Sequence, residues 1–255
     1  EQLQNGFLKL VKSEVFKENP DFFMHDGKEY SNNQVVLPLV LNNQNANYCK
    51  KDEAHKAHHR KDSHIIEQIC ECYGIKNPEL KCNLYLNQEE KAFADDCYKS
   101  LFKEKRFLTI EPFSKDNYTP NREYPFEKWQ KIVDSLCDKI TIVQIGKKEK
   151  TLSNVIDMTG ETTFREAVAI IEKSSMFLAS ESGLVHAATA VDTKSLVVIT
   201  GYQSEKMIAY PQNINVNISS HGPCGLKIPC PDCKKDAESH NWEDIVKILK
   251  DELCL

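Results

Sequence analysis

The chain has 255 residues, a formal net charge of −5 and a pI near 6.0, which leaves room for two modest domains or one large one and argues against a general nucleic-acid binder with a basic face. Its longest apolar run, Val35–Leu41, includes Pro38 and falls far short of the roughly 20 residues that span a bilayer. The N-terminal EQLQNGFLKL lacks the basic-then-apolar layout of a signal peptide, and the ten cysteines are scattered rather than set in a dense disulfide framework, so a soluble cytoplasmic protein with reduced thiols is expected.

In chain order, Val35–Leu41 reads as a buried strand. His55, His58, His59 and His64 fall in KKDEAHKAHHRKDSH, a mixed-charge segment without a cysteine or carboxylate at ligand spacing; a solvated face or an acceptor-side loop is expected there. Ile65, Ile66, Ile69 and Cys70 predict a helix closed by Gly74, and Asn87 caps another that runs towards Lys105. The charged stretch Phe102–Arg106 is the expected boundary between an N-terminal lobe, 1–105, and a C-terminal lobe, 106–255.

From there strands and helices alternate. Arg106–Ile110 reads as a strand, and Pro125 opens a helix whose Trp129, Ile132, Val133 and Leu136 share one face. Ile140–Ile145 is a strand stopped at Gly146. Thr163 and Glu166 form a capping box ahead of Ala167, Val168, Ile170 and Ile171. Asn241 caps a last helix buried along Trp242, Ile245, Val246 and Leu249. The alternation predicts an α/β fold with a parallel sheet covered on both faces.

The most informative stretch is SMFLASESGLVHAATAVDTKSLVVIT, from Ser175 to Thr200: strand, turn, short helix, strand. Its turn lies at the carboxyl end of the first strand, where open α/β sheets bind ligands on free backbone N–H groups. Gly183 allows close approach and Glu181 offers an acceptor for hydroxyls, although an acid at that position also serves as a helix cap. His186, one turn into the helix, fits either a ligand contact or a satisfied core histidine.

Three segments carry a resemblance to a known family. IEPFSKDNYTPNREYPFEKW is similar to a strand, a hydroxyl-rich loop, a basic residue before an aromatic–proline pair, and a helix; DMTGETTFREAVAIIEKSSMFLASESG is similar to a D-x-T-G-x-T-x-x-E run leading to an acidic–Ser/Thr–Gly turn; ESGLVHAA completes it. Together, from Arg106 to Val216, they resemble the donor-binding lobe of glycosyltransferase family 9, the bacterial heptosyltransferases that use ADP-heptose. HIIEQICECYGIKNPELKCNLYLNQEE looks like the end of the family's N-terminal lobe.

The resemblance implies a GT-B architecture of two Rossmann-like lobes, and an inverting transfer of heptose or a related sugar from a nucleotide-diphosphate donor, ADP-linked by preference. The acceptor would be a hydroxyl of a bacterial surface glycan or lipopolysaccharide core, and the enzyme would be cytoplasmic, with the inner face of the inner membrane as a peripheral location. It places the phosphate-binding hydroxyl on Ser114 and the phosphate-binding cation on Arg122, in place of the usual lysine, with Lys115 as a further donor. Ser182, Gly183 and Leu184 would supply the helix start, Glu181 the sugar-hydroxyl acceptor in place of aspartate, His186 a group orienting the diphosphate, and Glu149 a ribose contact. Phe113 stands where many members have a small residue. Residues 1–20 lack the family's Gly-Asp loop, so the expected N-terminal lobe is incomplete or divergent and no general base is assigned. A binding or scaffold protein lacking the base, and a GT-B sugar-nucleotide epimerase, are the rival readings.

The transfer needs no cofactor on this reading. Near the C-terminus, however, GPCGLKIPCPDC sets Cys224, Cys230 and Cys233 at C-x5-C-x2-C spacing, with His221 and His240 nearby. Three thiolates and a histidine make a structural zinc set, and a packing role for the loop is the alternative.

Overall fold

The computed structural model describes residues 50, 51, 57, 58, 63–71, 74–113 and 119–255. The strand expected at Val35–Leu41, the histidines His55 and His59, and the loop residues Ser114 and Lys115 lie outside them. Two short strands, β1 (Lys50–Lys51) and β2 (Ala57–His58), pair antiparallel. Helices α1 (Ile65–Glu71) and α2 (Gln88–Ser100) follow. Asn87 caps α2 as expected, and Glu90 completes a capping box with it.

The rest is a six-stranded parallel sheet. Its strands are β3 (Phe107–Glu111), β4 (Thr141–Gln144), β5 (Ile156–Asp157), β6 (Phe177–Ser180), β7 (Ser195–Ile199) and β8 (Ile214–Asn217). They lie in the order β5-β4-β3-β6-β7-β8. The chain winds outward from β3 to one edge, returns beside it as β6, and winds to the other edge. This is the doubly wound order, and the junction of β3 and β6 is its switch point. Connections are α3 (Phe126–Asp134), α4 (Phe164–Lys173), α5 (Gly183–Ala190) and the short α6 (Glu205–Ile208); α7 (Pro231–Ser239) and α8 (Trp242–Leu253) end the chain. Pro125 is the cap of α3 rather than its first residue, since the fixed φ of proline also suits the residue just outside a helix.

Central strands such as Ser195–Ile199 are buried throughout because helices cover both faces of the sheet. Alternate residues go to opposite cores. Val143, Phe177, Ala179 and Val197 pack with residues of α2, α4 and α5. Leu108, Ile110, Ile142, Leu178, Leu196 and Val198 pack with residues of α3 and α8. Helix α2 is tied to α4 by a buried pair: Arg165 Nε donates to Glu90 Oε1 at 2.6 Å and its Nη2 to Oε2 at 2.9 Å. Phe102, 1% exposed, packs tilted against Phe107 with ring centres 4.7 Å apart, so the chain between α2 and the sheet is packed into the same body.

Candidate functional site

Strands β3 and β6 both end in carboxylates at the switch point. Glu111 closes β3, and Glu181 follows Ser180 at the end of β6. Ser182 caps α5 by backbone position only, because its hydroxyl donates instead to Glu111 Oε2. The first N–H groups of α5 therefore have no side-chain cap, and the positive end of the helix faces the crevice. Gly183 is exposed, and a Cβ built there would meet nothing within 4 Å. The fold does not require glycine at this position; open space lies over the helix start.

The charged partner comes from the loop after β3. Thr119 caps a single 3-10 turn, Pro120–Arg122, by accepting from the Asn121 N–H at 3.2 Å. Asn121 anchors that turn, and its carbonyl accepts from Thr200 Oγ1 at 2.7 Å. Arg122 then reaches across the strand ends. Its Nη2 donates to Gln203 Oε1 at 2.8 Å, its guanidinium carbon lies 5.4 Å from the Tyr202 ring centre, and its Nε lies 3.4 Å from Glu181 Oε2. Glu181, 4% exposed, also accepts from the Thr200 N–H at 3.2 Å.

Burial dominates the acid–base behaviour. It raises the Glu181 carboxyl to about 7, against the opposing pull of Arg122 and the Thr200 N–H. It raises Glu111 to about 7 as well, partly offset by the Ser182 hydroxyl. Gly146, at φ +104°, lets the Glu111 side chain lie close: a Cβ there would sit 3.2 Å from Glu111 Cγ. His186 is lowered to about 4 by burial, then by the charges of Arg122 and His64, so it is neutral near pH 7. Its Nδ1 shares a 2.7 Å hydrogen bond with Tyr210 OH, which also lies 3.6 Å from Cys82 Sγ. The edge of His64 meets the same tyrosine at 4.9 Å.

The structure thus gathers Arg122, Glu181, Ser182, Gly183 and His186 around the end of β6 and the start of α5. Leu184 is 7% exposed and packs into the core below it. Glu149 is exposed on the loop after β4. Phe113 stacks on Phe126 of α3, with ring centres 5.6 Å apart and planes 11° from parallel. The C-terminal loop brings Cys224, Cys230 and Cys233 together with His221, whereas His240 Nδ1 is 2.9 Å from Tyr124 OH. Among the described residues, His221, Cys230 and Cys233 are a set whose ligand atoms are close enough to hold one metal ion.

Sequence reasoning passed over Glu111, Asn121, Thr200 and Gln203. For Glu111 a signal existed, a lone charge ending the apolar strand FLTIE.

The family model of glycosyltransferase family 9 (heptosyltransferase) matches residues 41–235. The chain belongs to this family. No curated protein matches it by sequence. Among solved structures it resembles the ADP-heptose lps heptosyltransferase II of E. coli (TM-score 0.55, 17% identity, over 72% of this chain and 56% of that one). A family 9 glycosyl transferase from Veillonella parvula DSM 2008 is similar too (TM-score 0.57, 13% identity, over 76% and 61%). So is TibC of enterotoxigenic E. coli, a dodecameric iron-containing heptosyltransferase solved with ADP-D-β-D-heptose (TM-score 0.58, 14% identity, over 81% and 58%). At these identities the likeness establishes the α/β fold of family 9. The chain spans 56% to 61% of the length of these neighbours.

Proposed function

We propose that the crevice at the β3–β6 switch point binds the diphosphate of an ADP-linked sugar, and that the chain acts in an inverting glycosyl transfer. The observation that carries this reading is the convergence of Arg122 and the uncapped N-terminus of α5 over the open space at Gly183. A leaving diphosphate gathers negative charge as the sugar C1–O bond breaks, and preorganised donors aimed at that charge lower the barrier. Arg122 and the backbone N–H groups of α5 supply them. Neutral His186 adds no charge and orients the turn through Tyr210. Ser114 and Lys115 join the phosphate site on the family resemblance, and Glu149 the ribose.

Glu181 is too enclosed to be chiefly a sugar contact. It holds the guanidinium of Arg122 in place, and its remaining reach is towards the sugar. The acceptor hydroxyl attacks C1 as the diphosphate leaves and loses its proton to a base on the acceptor side. A surface glycan or lipid-linked core is the acceptor class we favour, approached at the cytoplasmic membrane face. On this reading the charge opposite the diphosphate comes from protein groups, and the cysteine cluster has a structural role, with zinc as its ion.

Calorimetric titration with ADP and with ADP-heptose tests this. The wild type should bind both. Glu181→Gln, which removes the carboxylate that holds Arg122, should weaken binding of ADP and of ADP-heptose together. Absence of ADP binding in the wild type would overturn the proposal.

A further inference from the structure

The loop between β8 and α7 contains a second polar cluster that the donor crevice does not use. Cys224 Sγ lies 3.4 Å from Cys233 Sγ. Cys233 Sγ lies 3.5 Å, and Cys230 Sγ 4.0 Å, from His221 Nε2. A tetrahedral ion with sulfur ligands at about 2.3 Å and nitrogen at about 2.0 Å has ligand–ligand edges of roughly 3.5–3.8 Å. The His221, Cys230 and Cys233 ligand atoms all lie within 4.8 Å of one another, and Cys224 Sγ adjoins this set at Cys233.

A separate observation indicates which atom of His221 faces the sulfurs. Its Nδ1 is 2.8 Å from Asp236 Oδ2. The same carboxylate is held by the Ser220 N–H at 2.7 Å and by the Ser220 hydroxyl at 2.8 Å. A carboxylate accepts, so Nδ1 carries the proton and Nε2 turns a lone pair towards the sulfurs. Carboxylates behind histidine ligands fix tautomer and ring orientation in this way at metal sites. Cys230 and Cys233 are 5% and 3% exposed, while His221 lies on the exposed side of the cluster.

The cluster is built into the support of the crevice. Asn121 Nδ2 donates to the carbonyls of Leu226 and Ile228, both at 2.8 Å, and its Oδ1 accepts from the Cys230 N–H at 2.8 Å. Thr119 Oγ1 donates to the Leu226 carbonyl, and the Cys224 N–H to the Gly201 carbonyl, again at 2.8 Å. Gly201 permits this approach: at φ +98°, a Cβ there would fall 2.5 Å from Ser219 Oγ. Every one of these bonds runs from the turn that presents Arg122, or from the end of β7, to the segment bounded by Cys224 and Cys230.

We propose that His221, Cys230 and Cys233, with the adjoining Cys224 drawn in as the fourth ligand, hold one tetrahedral, thiolate-preferring divalent cation, zinc foremost, and that this ion pins the 221–233 loop beneath the Asn121–Arg122 turn. The proposal is independent of what the crevice binds.

The test uses the full chain, purified under reducing conditions without chelator. Metal analysis should find about one equivalent, as stoichiometric structural sites do. Cobalt(II) exchanged into the site should give the intense visible bands of tetrahedral thiolate coordination. Cys233→Ser and Cys230→Ser should lose the metal and those bands, and Cys254→Ser should keep both. Removing the ion from the wild type, which needs no variant, should speed amide exchange at 119–122 and 224–230 while α8 stays protected. Iron at the same stoichiometry supports the site equally. Wild-type protein with free thiols and no stoichiometric metal, a Cys224–Cys233 disulfide by mass spectrometry, or cobalt bands that survive both serine variants would overturn it.

Discussion

Among the described residues, two arginine–glutamate pairs with enclosed carboxylates, Arg165–Glu90 and Arg122–Glu181, are built differently. Arg165 and Glu90 meet through two bonds, at 2.6 and 2.9 Å, with the carbonyl of Tyr85 accepting a further bond from the guanidinium. Their side chains are 2% and 9% exposed. Arg122 and Glu181 approach only to 3.4 Å, at one nitrogen, and the arginine is 17% exposed. The first pair is complete within the protein. The second has a cation also held by Gln203 and the Tyr202 ring, and a carboxylate that burial has lifted to about 7. The first pair joins two helices, α2 to α4, whereas the second joins the turn after β3 to the end of β6, at the strand ends.

The largest effect should come from breaking the first pair. Arg165→Ala leaves Glu90 buried without its partner, which costs about 3–5 kcal/mol. For a chain of this size the melting temperature should fall on the order of 10 °C. Folded variant should bind ADP as the wild type does. Arg122→Ala should show the reverse pattern: ADP affinity falls by about 1.5–3 kcal/mol, the value of a charge-assisted hydrogen bond, while melting changes little because Glu181 can stay protonated. If Arg122→Ala unfolds the chain as readily as Arg165→Ala, the two pairs have the same role and the contrast fails.

The local halves of this contrast were legible in the sequence, and the distant halves were not. The cap at Asn87, the capping box at Thr163 and the strand–turn–helix around Glu181 rest on nearby residues, and the structure forms all three. The Arg165–Glu90 bond joins residues 75 positions apart, so no periodicity reveals it. Glu111 matters only because β3 lies beside β6, a fact of strand order. Short edge strands such as Ile156–Asp157 have too few residues for a pattern, and α7, PDCKKDAES, has too little apolar surface to announce a helix. At the cysteine loop, spacing gathered the thiols, but the choice of His221 over His240 depends on Asp236 and Tyr124.

A smaller effect should appear as pH dependence. Glu111 is neutral below about 7 in the folded protein, well above the ordinary carboxylate range. A raised value means that its contribution to folding is fully present below the ordinary carboxylate pKa and is lost as pH rises through about 7. The same ionisation puts a negative charge beside the proposed diphosphate site. ADP affinity should therefore weaken between pH 6 and 8 by up to about tenfold, roughly 1.4 kcal/mol. ADP titrates in that range too, so the informative quantity is the difference from Glu111→Gln, whose profile should be flatter. Parallel profiles would remove Glu111 from the site.

The smallest effect separates folding from binding most cleanly. Gly183 is the first residue of α5, with no positive φ and nothing within 4 Å of a built Cβ. An alanine there meets no clash and narrows the unfolded ensemble, so Gly183→Ala should stabilise the fold by about 0.4–1 kcal/mol. The added methyl nevertheless stands over the N–H groups proposed to meet the diphosphate, where backbone must approach closely. ADP binding should weaken several-fold while the melting temperature rises slightly, and Gly183→Val should weaken it further. Arg165→Ala loses stability and keeps binding; Gly183→Ala should gain stability and lose binding. Paired thermal melts and ADP titrations on the two variants measure both signs. Unchanged ADP affinity in Gly183→Ala would mean that the open space over α5 is not where the phosphates lie, and the donor site would have to move along the strand ends towards Glu149.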